Sequence, residues 1–173
     1  REHLAEHFLP REGVRLFGIL PVDNLLNAIT VGELATLLRG RILCRPDKLD
    51  ELVETFTIGA MTADSALRYF LRTPNKAVIT GGDRSEIQLA ALQTSTKAII
   101  LTGNLYPAAI VLARADELGV PMILVPWDTR ETVERVEKAL GRIRLSSPKQ
   151  IERVQTIMVN EVDLAALRET LKV

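Results

Sequence analysis

The chain has 173 residues, of which 47% are hydrophobic and 25% charged, and this composition is typical of a folded soluble domain. Its 22 basic and 22 acidic residues balance, which argues against nucleic acid or an anionic membrane as the main partner, because both require a basic surface. No apolar run approaches the roughly 20 residues of a membrane span, no signal peptide is recognisable, and the single cysteine, Cys44, leaves no internal disulfide, so a cytoplasmic protein is expected.

The first residues are predicted to form the end of a helix or linker. The chain does not begin with Met, and we expect residues 1–13 to follow a missing upstream domain. His3 and His7 fit the H-x-x-E-H spacing of some zinc enzymes. A coincidental match in a charged linker is the expected explanation, and no metal site is predicted.

Residues 14–145 are predicted to form one α/β domain in which strands and helices alternate. Thr30 and Glu33 have the spacing of a capping box, and Asp128 and Glu131 have it again. Strands are predicted at 14–20, 42–44, 52–58, 77–80, 98–101 and 122–125, and helices begin near residues 30, 62, 84, 107 and 128.

After residue 146 the pattern changes to two helices with no strand between them, so residues 146–173 are predicted to be a helical C-terminal tail. Alternating strands and helices predict a mainly parallel sheet with helices on both of its faces. The fold class is therefore α/β with this helical tail added.

Three glycines interrupt apolar runs at a constant spacing of 22 residues, at Gly59, Gly81 and Gly103. This is about the length of one strand-helix module. In a parallel sheet the loops after the strands meet at the carboxyl edge, where open α/β sheets bind ligands. The pattern therefore predicts a ligand-binding edge built from glycine loops.

Two of these loops contain side chains with suitable chemistry. In the first, two glycines let a ligand approach the backbone, Arg84 can clamp a phosphate or carboxylate, and Asp83 can accept from a ribose hydroxyl or an amino group, or pair with Arg84. In the second, Asn104 offers a donor and an acceptor. A tight turn without any ligand is the alternative for each. The candidate ligand-binding or interface residues are Thr80, Gly81, Gly82, Asp83, Arg84, Thr102, Gly103 and Asn104.

The common catalytic motifs are missing from the sequence. It has no Walker A motif, no G-x-G-x-x-G and no G-x-S-x-G. Cys44 is expected to be a buried hydrophobic residue, and Trp127 either stacks on a ligand base or lies in the core. No catalytic residue, cofactor or metal is predicted.

The Gly-Gly-Asp-Arg segment at 81–84, with Thr-Gly-Asn at 102–104, resembles the DRTGG domain. The segments at 17–23 and 30–34 are similar to the junction between a dethiobiotin-synthetase-like P-loop domain and a DRTGG domain in phosphotransacetylase-like proteins. The resemblance covers about residues 14–141. It implies a fold like that of the amino-terminal domain of HPr kinase/phosphorylase, with an upstream P-loop domain in the same protein.

The resemblance also implies a function. In such proteins acyl transfer belongs to a separate carboxyl-terminal domain and the nucleotide site to the P-loop domain, and the resemblance implies that the DRTGG unit has a role in regulation or assembly. We therefore expect a non-catalytic domain that forms a homodimer or higher homo-oligomer and senses a small anionic metabolite or nucleotide. There are two alternatives. In the first, the chain is part of an enzyme, either a phosphate acetyltransferase or an ATP-dependent ligase, whose catalytic domain lies outside this sequence. In the second, the chain is a purely structural dimerisation module.

Overall fold

The apolar runs form the strands of a buried sheet in the computed structural model, which describes residues 15–140 and 147–171. The chain divides into two compact units, one of residues Asn27–Ile143 and the other of residues Arg1–Leu26 with Arg144–Val173. The domain boundaries that the sequence suggests at residues 13 and 145 stay a prediction.

The first unit alternates strands and helices along the chain. Its strands are β1 (Ile29–Thr30), β2 (Arg41–Cys44), β3 (Leu52–Val53), β4 (Thr55–Ile58), β5 (Lys76–Gly81), β6 (Thr96–Thr102) and β7 (Met122–Leu124). Its α-helices are α1 (Val31–Leu37), α2 (Ala63–Phe70), α3 (Ser85–Leu92), α4 (Ala109–Leu118) and α5 (Thr129–Leu140), and a short 3-10 turn lies at Pro46–Lys48. A second 3-10 turn, Leu25–Asn27, lies where the chain passes from one unit to the other.

The main sheet has five strands in the order β2-β7-β6-β5-β4. Strands β4 to β7 are parallel, and β2 joins the edge antiparallel to β7. A separate two-stranded ribbon pairs β1 with β3 in antiparallel register. The predicted α/β class with a mainly parallel sheet is confirmed.

Alternate residues of the central strands point into two separate cores. Val78 and Ile99 pack with the buried faces of α2, α3 and α4, whereas Ile79 and Ile100 pack with α1 and α5. All four side chains are almost completely buried. Because both faces of these strands are covered, the strands read as continuous apolar runs.

Two sequence-based strand predictions were wrong in detail. The segment 52–58 is two strands in different sheets. β3 pairs with β1, whereas from Glu54 onward, where the N–H donates to the Asn75 carbonyl at 2.9 Å, the chain follows β5. The strand predicted at 14–20 is absent from residues 15–20, where Gly18 makes one isolated bridge to Val162. Val14 lies outside the described residues.

The second unit contains the two predicted tail helices, α6 (Pro148–Glu161) and α7 (Leu164–Leu171). Ser147 and Gln150 form a reciprocal capping box at the start of α6. Within the same unit the Arg153 guanidinium pairs with the Asp23 carboxylate at 2.6 Å and lowers the pKa of that carboxyl.

Candidate functional site

The three glycine breaks lie at the carboxyl edge of the parallel strands. Gly81 at the end of β5 pairs with Thr102 at the end of β6. The Gly59 N–H, just after β4, donates to the Ile79 carbonyl at 2.8 Å, and the buried Thr80 hydroxyl donates back to the Gly59 carbonyl at 3.2 Å. We refer to residues 59–61, 81–84 and 102–106, with 125–129 after β7, as the rim.

A close backbone contact joins two of the rim loops. A β-carbon on Gly82 would overlap the carbonyl group of Leu105. Gly82 is buried, and its backbone φ is not positive, so the absent side chain rather than an unusual conformation is what the position requires. The second glycine of the pair therefore lets the loop after β6 lie directly on the loop after β5.

Gln88 of α3 holds the Gly81-Gly82 turn from beneath. Its side chain is fully buried, and Nε2 donates to the carbonyls of Gly81 and Gly82 at 2.8 and 3.0 Å. Sequence reasoning missed this residue. The sequence feature that could have indicated its role is its position next to Ile87, on the helix face where the other residues are apolar.

Arg84 is engaged within the protein. Its Nε donates to the Glu86 carboxylate at 2.8 Å, and Nη2 donates to the Met61 carbonyl at 3.1 Å. The hydrogen bond from Arg84 lowers the pKa of the Glu86 carboxyl. Arg84 therefore connects the start of α3 to the loop after β4, and its ion pair is with Glu86 rather than with Asp83.

Asp83 is exposed at the start of α3. Its carboxylate lies against Gly81, in the space that a β-carbon on Gly81 would need. The first glycine of the pair thus lets Asp83 fold back over the end of β5. In this position the carboxylate can accept hydrogen bonds from a ligand that carries hydroxyl or amino groups.

The loop after β6 combines a buried and an exposed part. The buried Thr102 hydroxyl lies 2.9 Å from the Thr129 hydroxyl at the start of α5. Gly103 and Asn104 are exposed and have left-handed φ values of 74° and 55°. Their N–H groups donate to the carbonyls of Trp127 and Val125 at 2.6 and 2.9 Å, so these two backbone donors already bind within the protein.

Two aromatic residues lie at the rim in different ways. Trp127 is half-buried, its Nε1 donates to the Leu38 carbonyl at 2.8 Å, and the Arg135 guanidinium covers its ring at 3.7 Å from the centroid. Trp127 is therefore held in place within the protein. Tyr106 is 55% exposed, with the Arg41 guanidinium 5.1 Å from the ring centroid.

The remaining reactive groups do not gather at the rim. Cys44 is buried, its thiol donates to the Val120 carbonyl at 3.5 Å, and burial raises the pKa of that thiol. Across 15–140 and 147–171, no three His, Cys, Asp or Glu side chains are grouped as metal ligands, and no helix there has the length and apolarity needed to cross a membrane. His3 and His7 lie outside the described residues.

Comparison with known families and proteins gives consistent results. The family model described as the DRTGG domain matches residues 33–139. Among curated proteins, the phosphate acetyltransferase of Nitratidesulfovibrio vulgaris is 26% identical over 86% of this chain and 22% of its own length. The phosphate acetyltransferase of Pseudomonas aeruginosa is 27% identical over 96% of this chain and 25% of its own length. The chain thus spans about a quarter of these relatives.

A solved structure has the same fold. It is the crystal structure of the CBS and DRTGG domains of the regulatory region of Clostridium perfringens pyrophosphatase, complexed with its activator diadenosine tetraphosphate. The TM-score is 0.58 at 16% sequence identity, and the match covers 91% of this chain and 81% of the other. At this identity the likeness establishes the architecture.

Proposed function

The chain belongs to the DRTGG domain family, and from this premise we propose that its α/β unit is a non-catalytic regulatory and assembly domain of a phosphotransacetylase-like protein. The relatives named phosphate acetyltransferase support this setting. We propose that this chain is part of a longer cytoplasmic protein. In that protein an upstream P-loop domain precedes this chain, and another domain carries out acyl transfer.

The observation that carries the regulatory part is the joined rim. Four loops meet there, and Asp83, Gly103 and Asn104 are exposed on it. Of these residues, Asp83 offers a carboxylate and Asn104 a side-chain amide, which suit a nucleotide or a small anionic metabolite with hydroxyl groups. A carboxylate and a side-chain amide exposed on glycine loops are groups that bind a ligand by hydrogen bonds, and ligand binding is the function that we infer for the rim.

The assembly part of the proposal rests on exposed apolar side chains in the loop after β6 and at the start of α4. Ile110 is 75% exposed, and Leu105 and Tyr106, which precede it, are about half exposed. Exposed apolar side chains that are close together in the sequence favour burial against a second copy or another domain. We propose that this surface contributes to a homodimer.

Two measurements test the proposal. The native mass, measured by light scattering at tens of micromolar protein, should be that of a dimer. ATP or acetyl-CoA should raise the melting temperature, because a ligand at about a hundredfold excess over its Kd stabilises the folded state by roughly 3 kcal/mol. Asn104→Gly, which keeps the left-handed backbone but removes the carboxamide, should reduce that increase.

The outcomes separate the three functional hypotheses. Acetyl phosphate formation by the chain alone would instead support the catalytic alternative. A dimer whose melting temperature does not respond to either ligand would support a purely structural dimerisation module. A monomer without a ligand response would contradict the whole proposal.

A further inference from the structure

A charged cleft lies at the opposite edge of the sheet from the rim, where the parallel strands begin. Its cavity volume is about 420 Å³, within the range of small-molecule sites. Its walls come from the loop after β2, the start of β6 and the carboxyl end of α4. The residues that line it are Arg45, Lys48, Glu51, Thr96, Lys97, Glu117, Leu118, Gly119 and Val120.

Three cations from two chain segments, the loop after β2 and the start of β6, converge on this cleft. Arg45 follows β2 and has a left-handed φ of 53°, Lys48 ends the 3-10 turn, and Lys97 is the second residue of β6. A non-glycine residue in the left-handed region is conformationally unfavourable. The surrounding structure therefore holds Arg45 in a conformation that it would rarely adopt on its own.

Glu51 already places an oxyanion between the two lysines. Its Oε2 lies 2.7 Å from Lys97 Nζ, and its Oε1 lies 3.8 Å from Lys48 Nζ. The backbone of Glu51 is fixed independently, because its carbonyl accepts from the Val31 N–H at 3.0 Å. The carboxylate therefore shows that this position between the lysines accommodates an anionic group, and it competes with any external anion.

The other charges around the cleft are largely paired. Glu117 pairs with Arg114 at 2.8 Å, and Arg45 pairs with Asp47 at 2.5 Å while also donating to the Asp116 carbonyl at 3.5 Å. The carboxyl end of α4, which carries partial negative charge, also points toward this edge. Lys48 has the longest ion-pair distance of the three lining cations, and it is the group most available to a ligand.

We propose that this cleft binds a phosphate-sized oxyanion, held by Lys48 and Lys97 after the Glu51 side chain rotates away. Two ammonium groups supply charge-assisted hydrogen bonds to such a ligand. The nearby carboxylates and the helix end oppose it, so binding is weak and is tuned by Glu51. This site is separate from the rim and does not depend on the function proposed there.

The first test is calorimetric titration with inorganic phosphate at constant ionic strength. Lys97→Met and Lys48→Met should each weaken binding by at least about tenfold, the loss of one charge-assisted hydrogen bond. Glu51→Gln should tighten binding at least about threefold, because it removes the competing charge but keeps the backbone contact. Lys138→Met on α5 removes an equal charge from an exposed position and should leave binding unchanged.

The second test locates the anion and its source. Phosphate should shift backbone amide resonances at 45–51, 96–97 and 117–120 in the NMR spectrum, and each variant's spectrum shows whether it is folded. If AMP binds as tightly as inorganic phosphate, the cleft accepts an esterified phosphate group as its ligand. If AMP binds more weakly, the ligand of the cleft is the free ion. Shifts confined to 81–84 and 102–104, no saturable binding, or weaker binding by Glu51→Gln would each overturn the proposal.

Discussion

The side-chain amide of Gln88 donates to the carbonyl of Gly82 at 3.0 Å from a fully buried position. The same nitrogen also serves the Gly81 carbonyl. The Gly81 carbonyl also accepts from the Arg84 N–H at 3.1 Å. Gln88 therefore supports both acceptors of the turn on which the candidate ligand loop depends, and the Gly82 carbonyl relies on it more than the Gly81 carbonyl does.

Gln88→Met should lower the free energy of unfolding by about 1.5 kcal/mol, because the replacement fills similar volume but removes the side-chain donor from the Gly82 carbonyl at a buried position. Urea denaturation measures this change. Gln93→Met, at an exposed position just after α3, is the matched control and should change stability by less than about 0.5 kcal/mol. Equal effects of the two variants would contradict the role given to Gln88.

Gly82→Ala should destabilise the protein by about 2 kcal/mol or more, because its β-carbon overlaps the Leu105 carbonyl and the loop must move. Gly103→Ala is the informative comparison. Its β-carbon meets only side-chain atoms of Leu105 at 3.7 Å, and the left-handed φ should cost about 1 kcal/mol. Thermal melts show which variant has the larger decrease in melting temperature. A larger decrease for Gly103→Ala would show that the contact between Gly82 and Leu105 is easily relieved.

The fully buried Lys76 should make stability depend on pH. Burial lowers the pKa of its ammonium group from 10.5 to about 8 in the folded protein, where Nζ donates to Thr94 Oγ1 at 2.8 Å and to the Ser95 carbonyl at 3.1 Å. Between these two pKa values the unfolded chain binds more protons than the folded one, so the free energy of unfolding rises with pH.

Lys76→Met removes this titration. At pH 7 Lys76 is charged in both the folded and the unfolded state of the unsubstituted protein, so the folded state carries the full penalty of burying the ammonium group. Between pH 7 and 10.5 the native protein should gain up to about 3 kcal/mol in free energy of unfolding relative to Lys76→Met. Denaturation series for the two proteins measure the difference, and a difference that is constant with pH would show that Lys76 keeps its ordinary pKa.

Arg84→Met should lower the free energy of unfolding by about 1.5 kcal/mol, since it removes a charged donor from the Met61 carbonyl as well as the ion pair with Glu86. Glu86→Gln removes only the exposed ion pair and should cost less than about 0.5 kcal/mol. Chemical denaturation separates the two contributions. If the two losses are the same size, the contact with Met61 does not stabilise the rim.

Ile110→Asp should weaken the proposed homodimer by at least about tenfold, because a carboxylate would be buried in an apolar contact. Sedimentation equilibrium measures the dissociation constant. Glu137→Asp, at an exposed position on α5 in the opposite helical layer, should leave it unchanged. Unaltered association of Ile110→Asp would place the interface on another surface.

The sequence predicted the features that depend on local pattern. Apolar runs such as 98–101 identified strands covered on both faces, and glycines spaced by one module identified the carboxyl edge. The ribbon of β1 and β3 was missed because two residues, such as Leu52 and Val53, are too short to show a period. The antiparallel direction of β2 was not predicted, since strand order depends on long-range packing rather than on local pattern.

The roles of polar residues at the rim were harder to predict. Gln88 looks like a surface residue of a helix until its burial is known, and Arg84 looks like a free anion clamp until its bonds to Met61 and Glu86 are known. Both functions arise from contacts between residues that are separated in sequence or belong to different loops. Whether Asp83 and Asn104 bind a ligand stays a prediction.

The rim loops connect the helical layers on the two faces of the sheet. Gly82, just before α3, touches the backbone of Leu105, and Thr102 in the neighbouring turn shares a hydroxyl contact with Thr129, where α5 begins. These helices lie on opposite faces of the sheet. A displacement of the turn between Thr102 and Leu105 would therefore disturb contacts at the start of a helix on each face of the sheet.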